Sequence, residues 1–99
     1  MKKIFIGLAL LASSMFAHSA IMSCFDNGDG TVTCEGGFSD GSSASGVNFY
    51  LLQNDKKVFE AKISEDSEIS FKKPAGTYSA VFDAGEGHQV FVSGSDIAE

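Results

Sequence analysis

Beyond residue 19 the chain alternates apolar and polar side chains with a period of two, with no helical interruption. In "VNFYLL", Val47, Phe49 and Leu51 fall on one face; in "VFEAKI", Phe59, Ala61 and Ile63 share a face with Glu60 and Lys62 opposite. Successive side chains of a strand point to opposite sides, so both segments are predicted to be half-buried strands. "AIMSCFD" and "TVTCEGGFS" precede them, and "EISFK", "TYSAVFD" and "HQVFVS" follow, each bounded by Gly, Pro, Asp or Ser. About seven short strands in a small chain predict an all-β fold of two packed sheets, a seven-stranded β-sandwich.

The connections carry their own chemistry. "DNGDG" offers Asn27-Gly28 and Asp29-Gly30, which adopt positive φ cheaply, so the first two strands should fold back as a hairpin. A turn centred on Asp29 sets Cys24 opposite Cys34, close enough for a disulfide. "NDKK", "SEDSE", "KPAG" and "AGEG" read as further turns, and "SDGSSASG" as a loop within one domain.

The first residues follow a different pattern. "MKKIFIGLALLASSMFAHSA" runs from Lys2 and Lys3 through an apolar stretch over residues 4–12 to small residues, the order of a secretory signal. The stretch is shorter than the roughly 20 apolar residues that span a bilayer. Residues 1–19 are therefore expected to form a cleaved signal helix and residues 20–99 a single β-domain. A cut after Ser19 puts small residues at the recognised positions and discards His18, whereas a cut after Ala17 makes His18 the first residue of the mature chain. Export to the periplasm or the medium favours the Cys24–Cys34 bridge.

Loss of Lys2 and Lys3 takes the net charge from −6 to −8, since the other five lysines face thirteen acids with no arginine. Such a surface argues against nucleic acid or anionic membrane as a partner. No later stretch is apolar enough to anchor the mature chain in a membrane.

Several chemistries fail on spacing. "DNGDG" crowds Asp26, Asn27 and Asp29 together but lacks the alternating acids of a calcium loop. The G-x-S-x-G elbow and the phosphate-binding loop are absent, so a non-enzymatic role is expected. Cys24 and Cys34 lack the further ligand pair that zinc would need. In "VFDAGEGHQVFV", His88 opens the last strand on the face of Val90 and Val92, with Asp83 and Glu86 in the same turn. An imidazole beside carboxylates suits nickel, cobalt, copper or zinc. The plainer alternative is that His88 hydrogen-bonds Asp83 or a backbone carbonyl and orders the turn.

Residues 36–88, from "GGFSDGSSASGVNFYLL" through Phe71 and Pro74 to "DAGEGH", resemble the β-sandwich domain of the periplasmic auxiliary subunit of nickel/cobalt transport systems. That domain is itself similar to carboxypeptidase-regulatory-like and transthyretin-like modules, and "DAGEGH" is the most specific part of the likeness. The resemblance implies a transthyretin-like or immunoglobulin-like sandwich and an accessory role in nickel or cobalt uptake, by weak metal binding or by support of a membrane permease. It further implies that His18 is retained and joins His88 as a nitrogen ligand, with Asp83 and Glu86 as oxygen ligands or groups that orient an imidazole. Such subunits carry a C-terminal membrane helix, so a chain without one would be a free periplasmic relative or would dock onto a separate membrane component. A non-catalytic protein–protein interaction module of transthyretin-like fold is the alternative function.

Overall fold

A computed structural model describes residues 19–99. The expected signal over residues 1–18 and the candidate ligand His18 lie outside the described residues. Seven strands run in order, β1 (Ala20–Asp26), β2 (Thr31–Phe38), β3 (Asn48–Gln53), β4 (Lys56–Lys62), β5 (Glu68–Lys72), β6 (Ser79–Asp83) and β7 (Gln89–Ser93), followed by a 3-10 turn at Gly94–Asp96. They form two antiparallel sheets, one ordered β1-β2-β5 and the other β4-β3-β6-β7.

The turn chemistry sets the registers. β1 and β2 pair about Asp29, with Asp26 opposite Val32 and Cys24 opposite Cys34. Gly28 and Gly30 both take positive φ there, at 80° and 92°. The two cysteines are disulfide-bonded, with Cα atoms 4.0 Å apart. Between β3 and β4 only Asn54 and Asp55 form the turn, both with positive φ, as a two-residue hairpin loop of strands with native twist requires. β4 therefore begins at Lys56, two residues before the "VFEAKI" pattern suggested. A bulge follows directly: Leu51 pairs with Phe59 and Leu52 with Lys57, leaving Val58 as the extra residue.

The core lies between the two inner faces. Val32, Cys34 and Phe71 come from the three-stranded sheet, and Phe49, Leu51, Ala80 and Phe82 from the four-stranded one. Phe82 is fully buried, which stabilises the fold by roughly 1.5–3 kcal/mol. Its ring lies against Gly36 of β2, where a Cβ would sit 2.5 Å from the ring edge, so the sheets approach there only because β2 carries a glycine. The "SDGSSASG" loop is part of this packing. Ala44 is fully buried, its N–H donates to Ser67 Oγ, and Ser43 bridges to Gly37.

The disulfide sits on the inner face, Cys34 fully buried and Cys24 packed beside it, so it serves both as cross-link and as core. Replacing both cysteines by alanine should lower unfolding stability by roughly 2–3 kcal/mol from loop entropy alone, with lost packing adding to it. A urea titration of the variant against the oxidised protein measures this, and an unchanged midpoint would contradict it.

Candidate functional site

The β6–β7 turn holds the residues that the sequence singled out. Ala84 N–H donates to the His88 carbonyl, and His88 N–H donates to the Gly85 carbonyl at 2.9 Å. Gly85 and Gly87 take φ of 113° and 77°, which side chains with a Cβ resist. These glycines carry the turn through His88, so β7 starts at Gln89 and His88 precedes the strand rather than opening it. Asp83 Oδ1 accepts the Gly85 N–H at 3.0 Å, an Asx turn that starts the reversal.

Strand alternation separates the candidates. Phe82 points into the core, so Asp83 belongs to the outer face, where it borders a depression with Asn48, Tyr50, Lys57 and Glu60. His88 instead lines a shallow depression with Phe38, Ser42 and Ala84, on the side from which Phe38 packs edge-on against Phe82. Its exposed imidazole makes no hydrogen bond among the described residues; only its backbone orders the turn. Glu86 is exposed at the tip. Among the described residues no three of His, Cys, Asp and Glu stand close enough together to hold a metal. His88 lies at the end of the sandwich where the chain enters β1: Ser19 N–H donates to Ser39 Oγ at 3.0 Å, and Ser39 N–H donates to the Ser19 carbonyl at 2.9 Å.

The oxygens of "DNGDG" serve the hairpin. Asp26 Oδ2 accepts a 2.8 Å ion-paired hydrogen bond from Lys73, and Asp26 Oδ1 accepts the Gly28 N–H. Asp29 Oδ1 accepts both the N–H and the hydroxyl of Thr31. The Lys73 hydrogen bond foremost, then that from Gly28, holds the Asp26 carboxyl below its ordinary 3.8; the Thr31 hydroxyl and N–H do the same for Asp29. Asp26 in turn raises Lys73 above its usual range.

Sequence reasoning did not single out the side between β4 and β5. There Leu51, Val58, Phe59 and Pro74 line an open groove of about 560 Å³, with Lys72 and Lys73 along its rim. Val58 and Phe59 are 51% and 37% exposed, although β4 pairs with β3 along its other edge. Every lysine beyond residue 19 falls between positions 56 and 73, but four acids share that segment, so charge gave no clear signal for the groove. Among the described residues no helix is long and apolar enough to cross a membrane. No family model, no curated protein and no solved structure matches the chain.

The carboxylates of the hairpin set an acid limit. Their folded values are depressed, so the stability they contribute is fully present above 3.8 and is lost as pH falls through the lower folded values. Asp26→Asn should reduce the drop in urea midpoint between about pH 5 and about pH 3. An undiminished drop in the variant would show that the Asp26–Lys73 contact adds nothing to this dependence.

Proposed function

We propose that the chain is an exported, non-catalytic accessory protein of nickel or cobalt uptake, which holds the divalent ion weakly as cargo or supports a membrane permease. The observation that carries this reading is the exposed His88 imidazole, which makes no hydrogen bond among the described residues, at the end of the sandwich where Ser19 is tied to Ser39. A cut after Ala17 would add the ring and terminal amine of His18, one residue before Ser19; neutral nitrogens of this kind suit nickel. Glu86 can add a carboxylate from the same turn, while Asp83 acts through Gly85 by shaping the loop. One imidazole with few helpers makes a weak site, as release to a permease requires. Export agrees with the disulfide and with the lysine-led apolar start of the chain.

A ligand that binds only the folded state raises its stability, by about 1.4 kcal/mol at tenfold excess over Kd. Nickel at that excess should raise the melting temperature of the periplasmic protein by roughly 6–11 °C for a domain of this size. His88→Ala should abolish the rise, and an equal rise in that variant would sink the assignment. Intact mass of the same sample tells whether His18 is its first residue.

A second reading, an interaction module of transthyretin-like fold that works without metal, is favoured by the exposed Val58 and Phe59 on the open β4 edge. A photo-crosslinking residue at Val58 should give one discrete adduct in intact cells, unaffected by nickel. The same group at Ser23, on the exposed face of β1, should give none; equal labelling from both positions would remove this reading.

A further inference from the structure

β4 ends its sheet, and of its seven residues only Ala61 is partly covered. A free edge of this kind presents unpaired N–H and C=O groups. The bulge decides which of its side chains share a face. Phe59 turns its ring toward Phe49 and Phe71, and Val58 lines the same groove. Lys56 and Ala61 stand opposite Gln53 and Phe49, which face the groove and the core, so they share that inner face. Lys57, over the Tyr50 ring at 4.4 Å, and Glu60, opposite Tyr50, lie on the outer face.

From Lys56 to Ala61 the order is therefore in, out, in, in, out, in, which is the same from either end. Two copies related by a two-fold axis perpendicular to the sheet can then pair β4 with β4, antiparallel about the point between Val58 and Phe59, with every residue meeting one of its own face. A regular strand has no such centre, because its neighbours alternate. In this register Val58 lies opposite Phe59, Lys57 opposite Glu60 and Asp55 opposite Lys62, each twice by symmetry. Both charged pairs are opposite in sign, which favours the contact. Centring the pair on Phe59 instead sets Lys56 against Lys62, and centring it on Val58 sets inward Lys56 against outward Glu60.

Lysines and a bulge are ordinary defences of an edge, and they repel a second copy when like charges meet. Here the spacing of Lys57 and Glu60 makes opposite charges meet. Glu60 makes no hydrogen bond or ion pair among the described residues, which leaves its carboxylate open to the Lys57 of another copy.

We infer that two copies of this chain associate through β4 in this register, joining two four-stranded sheets into one of eight strands. Val58 and Phe59 of each copy then cover those of the other at the mouth of the groove. One strand pair with two apolar residues from each side is a small interface, so the dimer is weak and reversible. The inference rests on the interaction-module reading, deepens it by naming the partner as a second copy, and is independent of nickel.

Sedimentation velocity of the oxidised protein in chelator, over a roughly 100-fold range of concentration, should pass from the mass of one chain to that of two and no further. Amide NMR over the same range should show shifts confined to β4 and the residues of its groove. Lys57→Glu and Glu60→Lys each bring like charges together twice, and each should weaken self-association about 10-fold. Mixed in equal amounts, the two variants should associate with one another as tightly as the native chain does with itself, because each contact between positions 57 and 60 then joins opposite charges. Both positions are exposed, and unchanged spectra elsewhere verify the fold. A protein that stays monomeric, growth beyond two chains, shifts on another face, or variants that do not prefer each other would overturn the inference. So would β4 shifts caused by phosphatidylglycerol vesicles in a protein that stays monomeric. A monomeric protein that still gives a discrete Val58 adduct with a different protein in cells removes the second copy and leaves the interaction module standing.

Discussion

Cys24 and Cys34 face each other across the first hairpin on the side that points into the sandwich, and much of the architecture follows from that placement. A domain of about 80 residues buries a limited core, so a covalent link that also fills core volume stabilises it twice over. The turn at residues 27–30 sets the register, and the register sets the bridge. A slip of one residue would turn Val32 and Cys34 outward along with every other inner side chain of β2. β2 in turn carries β5 on its other edge and Gly36 beneath the Phe82 ring, so the position of the second sheet is referred back to this hairpin.

The sandwich is asymmetric about that core. Its β1–β7 side is drawn together by a backbone hydrogen bond from the C-terminal segment, and the Asp26–Lys73 contact ties the same hairpin to the start of the β5–β6 connection. The β4–β5 side stays open, since the two-residue turn at Asn54 and Asp55 returns β4 along the outside of β3, where no further strand of the described chain covers it. The bulge at Val58 then brings adjacent apolar residues to one mouth, which strict alternation would have placed on opposite faces.

Two ends of the molecule thus carry unlike chemistry. At one, an exposed imidazole that makes no hydrogen bond among the described residues stands on a glycine-built turn beside the point where the chain enters β1. At the other, a lysine-rimmed apolar groove follows a free strand.

Strand count, the hairpin at "DNGDG", the Cys24–Cys34 pairing and the shared inward face of Phe49 and Leu51 were legible in the sequence, because each depends on local periodicity or turn chemistry. Sheet order was not, since the choice of β5 as neighbour of β2 rests on contacts between distant segments. The candidate site shows the same boundary. Proximity along "DAGEGH" suggested that Asp83, Glu86 and His88 act together, yet the Asp83 carboxylate is taken up by the Gly85 N–H, and no three metal-ligating side chains cluster there among the described residues. Clustering of the lysines could be read from their numbers alone, but that Lys72 and Lys73 border an open groove with Val58 and Phe59 was decided only when β4 and β5 became edges of two packed sheets. Local sequence determines what each segment is; which segments meet depends on long-range packing of side chains far apart in the chain.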